Sequence, residues 1–184
     1  MSNMEKLERK YLAHFIDAAF NAESPEYFRL GQDLEEYSIE MNPDGEDKTN
    51  IIGEARYDLK GYKPSSNVDP FYAYEGDKLF EHLEEIINER ATGAKTQTTV
   101  VDVRLNASGE VVSAYREDVI VIPTSYGGDT GIGLPFEIHY NGNRTKGTFD
   151  LKTKTFTPVP EVLSTSMEVS NVKTGNTGTG SSKE

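Results

Sequence analysis

With 184 residues, ten Tyr and eight Phe but only 35% hydrophobic residues, the chain has enough for one packed domain with polar tails or long loops, and too little for two. Its net charge of −12 repels nucleic-acid phosphates, which disfavours gripping DNA through a basic patch but leaves room for a protein that DNA slides past. Zero Cys excludes disulfides and thiolate metal sites, no apolar run is long enough to span a membrane, and MSNMEKLERKYLAHF is charged where a signal peptide needs an apolar core; a cytoplasmic, soluble product is expected.

Residues 1–9 are polar and read as an N-terminal arm. The run Tyr11 to Ile16 is short, apolar and aromatic, which suits a buried strand, with helix as the competing reading. Asn21 to Pro25 turns the chain, Tyr27 to Gly31 reads as a second strand, and Tyr37 to Met41 alternates as a half-buried strand does. Asn42 to Lys48 is rich in acids and turn formers and predicts a hairpin tip, with Ile51, Ile52, Ala55, Tyr57 and Leu59 on the return strand. Val68 to Tyr74 is apolar and leads into the next element.

That element is the one long helix, Asp77 to about Ala91. Leu79, Phe80, Leu83, Ile86 and Ile87 share one face at helical spacing, while Glu81, Glu84, Glu85 and Glu89 occupy the other. Asp77 suits the N-cap, and Gly93 suits a left-handed closing residue. From Lys95 the pattern is β. Val101, Val103 and Leu105 alternate with Asp102 and Arg104, Asn106 to Gly109 supplies a turn, and Val111 to Ile122 is a long strand ending at Pro123. Tyr126 to Gly133 is a Gly-rich loop, Leu134 to Tyr140 a strand, and Asn141-Gly142 a type I′ turn signal leading to Thr145 to Leu151. A last pairing crosses Asp150 to Lys154 and ends at Phe156. Residues 159–184 read as a flexible tail, leaving 10–158 as the domain. Residues 1–92 hold 21 acidic against 10 basic side chains, and residues 93–184 hold 10 against 9, so the excess charge is N-terminal.

Catalytic chemistry finds no support. His14, His82 and His139 have no ligand spacing, and Gly128, Gly131 and Gly133 open no helix and precede no Lys-Ser or Lys-Thr. The run Asp44-Gly45-Glu46-Asp47 lacks the alternating ligands of a calcium loop. There is no nucleophile elbow. No enzyme activity, cofactor or metal is expected.

Several stretches resemble the major tail tube proteins of long-tailed bacteriophages and prophages of Gram-positive hosts: Ser38 to Pro43, Ile52-Gly53-Glu54, Lys60 to Pro64, Val68 to Ala73 running into Asp77 to Phe80, Gly147 to Asp150, and Thr155 to Pro158. Together they cover residues 10–158, with Ser38 to Gly93 the most specific. The resemblance implies a mainly β (α+β) fold, a β-sandwich or barrel of two packed sheets flanked by one α-helix, with a long loop between early strands. It implies hexameric rings that self-assemble into a tail tube, enclose a tape-measure protein and conduct DNA, in a virion built in the bacterial cytoplasm. The matching loop makes Asn42, Pro43, Asp44, Ile51, Ile52, Tyr57 and Leu59 oligomer-interface candidates. Two other readings fit the pattern: a carbohydrate-binding β-sandwich using Tyr126 and Tyr140, and a head-completion or neck protein of the same virus.

Overall fold

The computed structural model describes residues 6–20 and 23–159. Most of the arm proposed at 1–9 and nearly all of the tail proposed at 159–184 lie outside the described residues. The fold is mainly β: ten strands, one α-helix and two short 3-10 turns among the described residues. The strands are β1 (Leu12–Asp17), β2 (Tyr27–Leu30), β3 (Pro43–Thr49), β4 (Ala55–Tyr62), β5 (Ser65–Val68), β6 (Gln97–Leu105), β7 (Val111–Pro123), β8 (Phe136–Tyr140), β9 (Thr145–Asp150) and β10 (Thr155–Pro158), with α1 (Lys78–Glu89) between β5 and β6.

Eight strands form one antiparallel sheet in the order β10-β9-β7-β6-β1-β2, with β8 on β7 and β5 on β8. The sheet curls. Phe149 on β9 and Phe15 on β1 are three strand positions apart, about 14 Å in a flat sheet, yet their rings approach to 4.6 Å. Curling encloses a small core of Phe15, Tyr27, Val101, Val103, Ala114 and Phe149, with Phe156 of β10 packed against it. The larger core lies on the opposite face, where α1 covers Ile16, Val100, Val119, Val121, Phe136 and Ile138. The layers that face each other across this small core are two parts of one curled sheet, and β3 and β4 form a second, small sheet.

Helix α1 forms where its periodicity predicts. Asp77 Oδ1 accepts from the backbone N–H of Leu79 at 2.9 Å and of Phe80 at 3.4 Å, capping the first free donors. Leu79, Leu83 and Ile86 are buried, while Phe80 and Ile87 are half-buried at the margin of the stripe. The closing residue is not Gly93. Arg90 takes the left-handed conformation (φ 54°), its N–H returns to the Ile86 and Ile87 carbonyls, and the Ala91 N–H also donates to Ile86 O at 2.9 Å, so the helix closes three residues before the glycine.

Three further expectations are corrected. The segment Tyr37 to Met41 makes only an isolated bridge, Glu40 to Ser65, in place of a strand. Asn42 to Lys48 is not a tip: Pro43 to Thr49 is a strand, and the tip is Asn50 to Glu54. Asn141-Gly142 makes no β8–β9 hairpin. Both strands pair along the same edge of β7, β8 with Val119 to Pro123 and β9 with Ala114 to Arg116, so the Asn141 to Arg144 stretch interrupts one edge. A 13-residue β7 has room for two short partners end to end, which local turn chemistry cannot reveal.

Candidate assembly surface

The loop between the early strands is an ordered two-stranded arm. β3 and β4 pair only with each other and make no ladder to the main sheet. At its root Lys63 N–H donates to the Asn42 carbonyl at 3.1 Å, the Asn42 amide donates to Lys63 O and Ser65 Oγ, and Lys63 pairs with Asp44 at 2.9 Å. Asn42 adopts φ 40°, a conformation Asn tolerates better than most residues, and this turns the chain into the arm. Seven paired residues give a reach of roughly 23 Å.

The arm has two chemically distinct faces. On one, Glu46, Lys48 and Asp58 alternate across the strands, with Lys48 2.5 Å from Asp58 and Lys60 2.8 Å from Glu46. The hydrogen bonds from Lys60 and then Lys48 hold the Glu46 carboxyl below its ordinary value. On the other, the Tyr57 ring lies over Gly45, in the space that a Cβ there would take, so any larger residue would push the ring aside. Tyr57 and Leu59 remain exposed on that face, and Ile51 and Ile52 stand at the tip with relative exposures of 105% and 74%. All seven interface candidates thus lie on one arm, with Asn42, Pro43 and Asp44 at its root, Tyr57 and Leu59 on its flank and the isoleucines at its end.

A buried polar cluster escaped the sequence reading. His14 Nδ1 lies 2.7 Å from Asp102 Oδ1, the Arg144 guanidinium lies 3.2 Å from Asp102 Oδ2 as an ion pair, and it donates to Glu117 at 2.8 Å. His14, Asp102 and Glu117 are buried. Tyr37 packs on the His14 ring, and its hydroxyl shares hydrogen bonds with Ser66 and Tyr140. Burial pushes the Tyr37 phenol above its ordinary value and the Tyr140 phenol well above it. The cluster ties β1, β6, β7 and the interrupted edge together, so its chemistry is that of a structural pin.

The glycine loop is tied as well. Gly127 and Gly133 exchange backbone hydrogen bonds of 3.0 and 2.6 Å, and a Cβ at Gly128 would strike the Gly131 backbone, so the loop closes on itself and forms no phosphate cradle. Among the described residues no three His, Asp or Glu side chains converge as a metal site, and no helix is long and apolar enough to cross a membrane. His139 lies beside Glu137 and His82 beside Phe20. The pair of tyrosines invoked for carbohydrate does not exist as a surface: Tyr126 is exposed and donates to Glu84, whereas Tyr140 is buried.

No protein-family model and no curated protein matches the chain. Solved structures do. The tube-terminating cap of the anti-feeding prophage AFP matches with a TM-score of 0.52 and 13% identity over 80% of this chain and 95% of that one. The sheath/tube terminator of the extracellular contractile injection system PVC, in its extended state, matches with a TM-score of 0.51 and 11% identity over 80% of this chain and all of the other. The chain shares their fold. At such identities the likeness is architectural, and the major tail tube protein suggested by the sequence stretches is not the type matched by these two structures.

Proposed function

We propose that the chain is a structural, non-enzymatic subunit of a phage-tail-like particle, and that copies of it form a ring that closes or terminates a tube. The observation that carries this reading is the fold held in common with two tube-terminating proteins across 95% and 100% of their lengths. The arm supports it, because a ribbon that carries exposed Ile51, Ile52, Tyr57 and Leu59 away from the body is a costly way to build a monomer and a direct way to reach a neighbour.

A second reading is the stacked-ring tail tube, with hexameric rings around a tape-measure protein and a lumen through which DNA passes. It is favoured by the Ser38 to Gly93 stretch and by the same arm. Both readings place the protein in the tail of a virion or virion-like particle, and in both the −12 charge keeps DNA from adhering. Electron microscopy of the purified full chain separates them. Discrete rings one subunit thick support the terminator, long tubes support the stacked-ring reading, and monomers at all concentrations overturn both.

A further inference from the structure

The tip of the arm is built as a rigid knob. In the turn Asn50-Ile51-Ile52-Gly53, the Gly53 N–H donates to Asn50 O at 3.0 Å and the Asn50 N–H to Glu54 O at 3.0 Å. Asn50 Oδ1 also accepts from the N–H groups of Ile52 and Glu54, at 3.1 and 2.9 Å. The same scheme recurs at Asn106-Ala107-Ser108-Gly109-Glu110, where Asn106 Oδ1 accepts from Ser108 and Glu110 at 2.9 Å each. That second turn holds its shape with Ala and Ser at its centre. Two isoleucines are therefore not needed to make the turn, and at the arm's end they present apolar surface to water on a backbone that is already ordered, which lowers the entropy cost of docking.

An apolar groove of about 470 Å³ lies on the body of the same chain, between the C-terminal end of α1 and the last residues of β7. Ile86, Ile87, Ala91, Ile120, Ile122 and Pro123 line it. Its volume falls in the range of sites that enclose small apolar groups, about 300–1,000 Å³. β7 outruns its neighbour here: β6 begins at Gln97 opposite Ile120, so Val121 to Pro123 have no strand partner on that side, and Thr92, Gly93 and Thr96 border the groove instead. The rim carries exposed Arg90, and Glu54 flanks the isoleucine tip, so the charges beside knob and groove are opposite. The full exposure of Ile51 means that the chain's own tip does not fill its own groove.

We propose that the Ile51–Ile52 tip of one copy seats in this groove of the next copy. Such a contact is heterologous, so it propagates around a ring or along an open chain and does not stop at a two-fold dimer. The inference rests on the reading of the protein as a self-assembling subunit and adds the surface that receives the arm.

The test uses the full chain in sedimentation velocity and mass photometry, with a tip variant (Ile51→Asn with Ile52→Asn) and a groove variant (Ile122→Asp), each checked by circular dichroism. Each isoleucine removed from a buried contact weakens association about tenfold or more, so the tip variant should associate about a hundredfold more weakly. Mixing the two variants leaves one intact tip and one intact groove, and should yield a one-to-one dimer and nothing larger. A benzophenone side chain at position 52 should crosslink to residues 86–91 or 120–123 of another copy, a readout that does not require the groove variant to fold. Loss of assembly by the tip variant with crosslinks elsewhere overturns the groove while leaving the arm's assembly role intact. Wild-type assembly by the tip variant overturns the knob. A wild-type protein that never self-associates overturns this inference together with the function it rests on.

Discussion

Replacing Arg144 with Met should be among the most damaging single changes in the molecule, although the residue sits in an interruption between two short strands. Its guanidinium faces two buried carboxylates, Asp102 at 3.2 Å and Glu117 at 2.8 Å; Asp102 keeps His14 Nδ1 at 2.7 Å when the guanidinium is gone, whereas Glu117 keeps no such partner in the cluster. Removing one partner of a buried ion pair typically costs about 3–5 kcal/mol, because the charge left behind has lost its water and gained nothing. Arg144 is itself 44% exposed, so water can enter when the guanidinium leaves, and the lower end, about 3 kcal/mol, is expected. For a domain of this size each kcal/mol moves the melting temperature by about 2–4 °C, giving a drop of about 6–12 °C. Urea denaturation at pH 7 reads the free energy and calorimetry the midpoint. Adding Asp102→Asn and Glu117→Gln to Arg144→Met removes the stranded charges and should recover more than half of the loss. A single-variant loss under 1 kcal/mol, or a triple variant no more stable than the single one, would refute the claim that unpaired buried charge is the cause.

Leu83 is fully buried beneath α1, so Leu83→Ala should cost about 2–5 kcal/mol in the same urea assay, and an unchanged midpoint would remove the helix from the core. Excising residues 46–58 and closing the ribbon with an Asn-Gly turn should leave the body's melting temperature within a few degrees while abolishing rings in electron micrographs; normal assembly by that variant would sink the arm's role. Burial holds the phenols of Tyr37 and Tyr140 above the ordinary value. A raised folded-state value leaves stability intact below the unfolded value of about 10 and erodes it as pH rises above that. The urea midpoint should therefore be flat from pH 8 to 9.5 and fall above about pH 10, less steeply in Tyr140→Phe; an equal slope in both proteins would count against Tyr140 as a source. Duplex DNA should show no gel-shift at 0.15 M salt, where the Debye length is about 8 Å and the acidic surface still repels at short range; tight binding there would end the slippery-surface argument.

Features that depend on nearest neighbours in the chain were legible in the sequence. The α1 stripe of Leu79, Leu83 and Ile86, the Asp77 cap, the β6–β7 hairpin across Asn106 to Gly109 and the β9–β10 turn all formed where residue spacing and turn chemistry placed them. The assembly candidates also fell on one element, although Asn42 to Lys48 looked like a tip. Its acids and glycine disfavour a strand in isolation. In the fold, Glu46 gains Lys48 and Lys60, and Gly45 makes room for Tyr57, so pairing with β4 overrides local preference. The repeated Asn-x-x-Gly-Glu pattern at 50–54 and 106–110 was the signal that could have located the true tip.

Long-range placement was decided only in three dimensions. Alternation along β6 shows that Asp102 and Val101 point to opposite faces, but not that both faces are covered, because coverage depends on how the sheet curls and on what packs against each side. That is why His14, Asp102 and Glu117 are buried around Arg144 although each reads as an ordinary polar position on a strand. The same limit hid the single β7 edge shared by β8 and β9, and the stopping point at Arg90. Periodicity fixes which side chains share a face, whereas which faces meet is a property of the folded chain.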